Sequence, residues 1–174
     1  MNCTICSRKA AENTELCGKC IVKVVEKRAR KRLAKRRIMK DSRVLVVNDG
    51  RCEGEVNSYL VKKLVTSTKN IEYAKNLHGN SYDFVALPDT ADTEAERFLD
   101  FMLNSNVIKS QKNAVKLLKD SMASEVADYA KIKRIKYAKK MKESSISLLL
   151  ERLDRYKGTK FALAKISEKI KCTN

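Results

Sequence analysis

Three observations predict an α/β fold carrying a metal-binding N-terminal segment. Two short apolar runs, residues 43–47 and 82–87, alternate with amphipathic stretches, the pattern of a small, mainly parallel sheet. Four cysteines stand as Cys3-x-x-Cys6 and Cys17-x-x-Cys20, ten residues apart. Between them and the first apolar run lies a basic segment without Gly or Pro.

Each cysteine pair can supply one edge of a tetrahedral site, and the span between the pairs can close a loop or hairpin. Four thiolates suit a structural zinc ion, which in so short a segment supplies folding energy that a core cannot. Redox dithiols and an iron–sulfur cluster are the alternatives. A closed set of four thiolates leaves no open position for a substrate.

From Ile21 the chain reads as a helix running to Lys40, with Ile21, Val24, Val25, Ala29 and Leu33 at three/four spacing. Arg28, Arg30, Lys31, Arg32, Lys35, Arg36 and Arg37 occupy the remaining surface, and Glu26 is the only acid. A buried strand over 43–47 leads into a helix from about Glu53 to Val65. Residues 71–79, IEYAKNLHG, read as a short helix ending at Gly79, beside the only histidine, His78. After the strand over 82–87, Asp89 can cap a helix that starts near Ala91 and turns Ala95, Phe98, Leu99, Met102 and Leu103 inward. Residues 121–171 read as mostly helical, with one apolar stripe of Ile146, Leu149, Leu150, Leu153 and Tyr156 and a weaker one of Phe161, Ala164 and Ile170.

Charge divides the chain. Residues 1–40 sum to +10, 41–108 to −4 and 109–174 to +11, within a net charge of +17 over 174 residues. Two basic ends around an acidic middle point to a polyanionic partner, and nucleic acid fits better than a membrane surface. The basic helix is the first candidate contact. The second is the run from Lys131 to Lys142, seven cations without an acid, with Lys136, Lys139 and Lys140 at its centre. No apolar run reaches a membrane span and no signal-peptide pattern opens the chain, so a cytoplasmic protein is expected. The organisation read from these features is a four-cysteine finger over 1–22, a basic linker helix over 23–40 and an α/β domain with a helical C-terminal part over 41–174.

The order finger, basic helix, strand, loop, helix resembles the PP-loop ATPases that 2-thiolate tRNA uridines. Three later segments carry the likeness: YDFVALPDTADTEAERFLDFML, KLLKDSMASEVADYAKIKRIKY and YKGTKFALAKISEKI. They are similar to the family's "GH-x-x-D-D-x-A-E/Q", "E-x-E-V…Y-A…I-x-Y" and "P-G-T-K-F…S-x-E-K-I" blocks. The resemblance implies a small, reduced PP-loop (adenine-nucleotide alpha hydrolase-like) parallel sheet. It also marks departures. At the phosphate-cradling "S-G-G-x-D-S" loop this chain has Asn48, Asp49, Gly50, Arg51, Cys52 and Glu53. Leu87-Pro88 replaces Gly-His, the family's core cysteine pair is missing, its third cluster cysteine falls near Met141, and only Cys172 stands where a second finger would begin.

The likeness is therefore strongest to the degenerate subunit of the two-subunit cytosolic wobble-uridine thiolase. What it implies is a non-catalytic subunit that binds tRNA and an active PP-loop partner, with structural zinc, no ATP and no iron–sulfur cluster. A stand-alone zinc-containing RNA- or DNA-binding protein on the same scaffold is the alternative. Cys52, in the altered loop, is read as a structural thiol rather than a sulfur carrier.

Overall fold

The computed structural model describes residues 2–11, 14–36, 38–76, 82–105, 113–138, 145–154 and 158–171. Among these are six helices and four strands: α1 (Gly18–Ala34), β1 (Val44–Val47), α2 (Cys52–Leu64), β2 (Ile71–Ala74), β3 (Phe84–Ala86), α3 (Ala91–Asn104), β4 (Ala114–Val115), α4 (Ala123–Lys133), α5 (Ser145–Leu153) and α6 (Thr159–Lys171).

All strand pairs are parallel, in the order β2-β1-β3-β4. Val44 stands opposite Ile71 on one side and Phe84 on the other, so β1 is central and both apolar runs lie where the sequence places them. The crossovers through α2 and α3 run in opposite directions along the sheet, and a uniform right hand puts these helices on opposite faces. α2 accordingly packs with α1 and α4, and α3 with α5 and α6. Chain direction reverses between β1 and β3, which opens a crevice at their C-terminal ends.

Residues 71–74 are a strand and not the start of a helix. Ile71 and Tyr73 favour extended backbone, and pairing along the full length of β1 decides the outcome. His78 and Gly79 lie outside the described residues. Asp89 does not cap α3; Thr90 does, accepting from the Thr93 amide. The inner face of α3 is shorter than its pattern suggests: Ala95 and Phe98 are buried, but Met102 and Leu103 are 60% and 59% exposed. In α5, Leu150 is buried while Leu149 and Leu153 reach the surface. Tyr156 and the side chain of Ile170 lie outside the described residues.

The main core joins Ile21, Val25 and Ala29 of α1 to the strands, to Val56, Leu60 and Val61 of α2, and to Val126, Tyr129 and Ala130 of α4. Beside it sits a buried carboxylate, Glu26, 6% exposed. Its Oε1 accepts from Lys63 Nζ at 2.6 Å and from the Tyr129 hydroxyl at 3.1 Å, and its Oε2 accepts from Arg30 at 3.1 Å. Burial alone would raise its pKa, but Lys63 and the Tyr129 hydroxyl outweigh burial and hold it below the usual glutamate range.

Replacing Glu26 by Gln should cost about 1–3 kcal/mol near neutral pH, since hydrogen bonds to a buried charged group are lost. Because the folded pKa is lowered, this contribution is present above the ordinary glutamate range and disappears as pH falls through the folded value. Denaturant unfolding of Glu26→Gln beside wild type should show the gap closing on acidification; a gap independent of pH would refute an ionised Glu26.

Candidate metal centre and nucleic-acid interface

The metal centre is built from one turn and one helix start. Cys3 and Cys6 flank a turn in which the Cys3 amide donates to Arg8 O at 2.6 Å and the Ser7 amide to Cys3 O at 2.9 Å. Ser7 closes it at φ 57°. Cys17 is the N-cap residue of α1 and Cys20 lies in its first turn. The structure thus brings the four predicted ligands together, their sulfurs all within 4.8 Å of one another. Cys3, Cys17 and Cys20 are buried and Cys6 is exposed; none forms a disulfide.

Four thiols this close cannot all ionise without a cation among them. Burial pushes the Cys3 thiol up, but hydrogen bonds from the backbone of Cys17, Ile5 and Cys6 outweigh it and bring its pKa to about 6. The Cys17 thiol is lowered as well, first through the Cys20 backbone. Cys20 is pushed up to about 12 by its bond to Cys6 and by burial. A metal ion held by Cys3, Cys6, Cys17 and Cys20 would supply the missing positive charge and displace the protons.

At the β1–α2 corner the polar groups bond one another. The Gly50 amide donates to Asn48 Oδ1 at 2.9 Å and the Arg51 amide to Asp49 Oδ1 at 3.0 Å. Asn48 Nδ2 donates to Glu55, and Arg51 pairs with Asp49. A side chain at Gly54 would meet Asn48 Oδ1 at 2.6 Å, so the loop lies directly against α2. Burial, and then Glu53, push the Cys52 thiol up to about 11, far from the thiolate a sulfur carrier needs.

Beyond this corner, the crevice is a cavity of about 430 Å³ lined by both signs of charge. Asp89 pairs with Lys116 at 2.7 Å and with Arg97; fully buried Glu94 pairs with Lys116 and Arg97. Asp92 accepts from the Ala123 amide at 2.6 Å and pairs with Lys160 at 2.9 Å, tying α3 to α4 and α6. Asp92 and Glu94, the acids that the segment YDFVALPDTADTEAERFLDFML shares with the family block, thus hold the fold together.

The basic residues fall into two sets. Arg28 pairs with Glu125 at 2.6 Å and Arg32 with Asp120 at 2.7 Å, both across to α4 and its lead-in. Arg30 bonds Glu26, and Arg36 donates to Ala114 O. Lys31, Lys35 and Lys136 are exposed. Lys23 and Lys27 are exposed too and were missed in the sequence. With Lys31 and Lys35 they form a ridge at i, i+4 spacing, one cation per turn, and among the described residues none of the four has an ion-pair partner. Arg37, Lys139, Lys140, Met141 and Cys172 lie outside the described residues. No helix among the described residues is long and apolar enough to cross a membrane.

No family model and no curated protein matches the sequence. A solved structure does match: the U34-tRNA thiolase NcsA from Methanococcus maripaludis with its [4Fe-4S] cluster, at a TM-score of 0.75 and 16% identity, over 98% of this chain and 87% of that one. The chain shares the fold of that structure.

This likeness corrects two expectations. A chain without enzymatic activity was expected, yet the fold it shares from end to end is that of an enzyme. Structural zinc with no ATP and no iron–sulfur cluster was expected, yet the matching thiolase carries a [4Fe-4S] cluster and this chain presents four clustered thiols. The physical reason is the donor set: four thiolates hold iron as readily as zinc, and cysteine spacing does not separate the two.

Iron, labile-sulfide and total-metal analysis of anaerobically purified protein should find a metal that Cys17→Ser loses and that acidification releases. The same substitution should expose residues 2–17 to protease while the α1 core stays protected. Metal-free wild type with four free thiols would refute the centre.

Proposed function

We propose that this chain is a tRNA-binding component of a tRNA uridine 2-thiolation system, acting beside an active PP-loop thiolase subunit in the cytoplasm. The observation that carries the reading is the fold likeness to a U34-tRNA thiolase over nearly the whole chain. The lysine ridge of α1 supports it: four cations rise about 6 Å from one to the next along one helix face, a spacing suited to a phosphate backbone. Lys136 is a second exposed cation offered to the same ligand, with Arg37, Lys139 and Lys140 in sequence beside the two patches. A partner subunit is proposed from the resemblance to the two-subunit thiolase.

Charge reversal at Lys31 and Lys35 should weaken binding of an unmodified tRNA transcript and lower the salt slope by about one per lost phosphate contact. Reversal of Arg28 or Arg32 should instead lower thermal stability, because Glu125 and Asp120 lose their partners. Filter binding at several salt concentrations separates the two effects. A tRNA affinity unmoved by the lysine reversals would refute the interface, and a pull-down from the native cell without a PP-loop enzyme would refute the partnership.

A further inference from the structure

A second concave site lies between the C-terminal ends of α1 and α2. A crossover helix returns the chain to the N-terminal edge of a parallel sheet, so this site is at the opposite edge from the crevice. It is a cavity of about 490 Å³, within the range of small-ligand sites. Half-buried Leu33, Ile38 and Leu64 line it with apolar surface, and Arg30, Arg36 and Lys63 supply cations. Among the described residues no carboxylate lines it.

The walls are fixed before any ligand arrives. Thr68 donates to Ser42 O at 2.8 Å, which pins the segment after α2. The Met39 amide donates to Ser42 Oγ at 2.9 Å, which pins the segment after α1. Glu26 takes Lys63 on one oxygen and Arg30 on the other, setting two cations side by side. Two helix C-termini here add about one negative charge together, and Glu26 adds another. The three cations still exceed them by about one charge, enough for a single phosphate.

We infer that this groove takes one unstacked nucleotide of a single-stranded RNA segment, its base on the apolar surface and its phosphate between the cations. A positively charged groove that tracks the backbone, with a flat apolar surface for the base, is how single strands are held without sequence readout; here aliphatic Leu33, Ile38 and Leu64 stand where aromatic rings usually provide that surface. The inference rests on the tRNA-binding reading and adds a place, separate from the lysine ridge, where a looped-out base is gripped. Thr66 and Ser67, exposed in the lining, face the same ligand from the loop after α2.

The test uses the full chain, a fluorescent hexauridylate, an unmodified tRNA transcript and free UMP. The double variant Thr66→Glu, Ser67→Glu places two carboxylates in the lining without touching the core. It should lose about tenfold in hexauridylate affinity, and the loss should persist at high salt. Lys62→Glu makes the same change in charge next to the lining, and its smaller loss should vanish with salt. Ultraviolet crosslinks from the hexauridylate should map to residues 30–38 and 62–69 in wild type and disappear in the double variant. Equal losses in both variants would reduce the effect to long-range charge and overturn the inference. So would wild-type affinity in the double variant, UMP binding as tightly as the hexamer, or loss of a protein partner with RNA binding intact. If wild type binds tRNA while any of these holds, the tRNA reading stands and the groove alone fails; if wild type binds neither RNA, the tRNA reading fails first.

Discussion

The buried carboxylate of Glu26 is the constraint on which the arrangement of the basic half depends. Removing a carboxylate from water costs several kcal/mol unless its lone pairs are met. Here Lys63 of α2, Tyr129 of α4 and Arg30 of its own helix meet them. One group therefore ties three helices together on one face of the sheet. It also fixes the rotation of α1: with Glu26 inward, Ile21, Val25 and Ala29 enter the core and Lys23, Lys27, Lys31 and Lys35 face outward. Lysines about 6 Å apart repel by only about 0.7 kcal/mol per pair in water. The ridge can thus stand in solvent, while an approaching polyanion gains from every lysine at once.

This sorting explains what could and could not be read from the sequence. The basic run was plain, and so was its solitary acid. The acids that answer Arg28 and Arg32 are Glu125 and Asp120, 97 and 88 residues away, and no local pattern announces them. A count of charges within one helix overstates how many are free. The same limit hid β2. Four residues with two exposed positions carry little periodicity, and only the full-length pairing with β1 makes them a strand. β4, two residues long, left no signal at all. The cysteine site was legible because spacing along the chain is itself the information; the identity of its metal was not, because donor chemistry is shared between iron and zinc.

The acid-rich corner after β1 has a local explanation. Asn48 and Asp49 accept from amides two residues ahead, and Glu55 accepts from Asn48, so the turn is closed by its own side chains. Gly54 is required by contact, since a Cβ would strike Asn48 and Asp49, whereas Gly50 is required by its φ of 79°. Across the crevice the acids of the β3–α3 connection are matched by Arg97, Lys116 and Lys160, cations drawn from three later parts of the chain. Burial of Glu94 and Asp89 is tolerable only because Arg97 and Lys116 converge on them. Asp89 is withheld from capping α3 for this reason, and Thr90 takes the amide instead.

The metal centre and the lysine ridge sit on the same helix but are held by different forces. Cys17 and Cys20 fix the first turn of α1 against the residue 3–6 turn. From Ile21 onward the helix is clamped by the core and by the Glu26, Arg28 and Arg32 pairs to α2, α4 and the residues before it. The ridge therefore does not need the metal for its orientation. What a metal there would organise is the short segment before α1. Among the described residues its buried cluster is Cys3, Cys17 and Cys20 with Leu16 against them, and it meets the main core only through Ala11 and Leu16. That segment, at the N-terminal end of a cationic helix and with the Cys6 thiol at the surface, depends on a source of stability separate from that of the ridge.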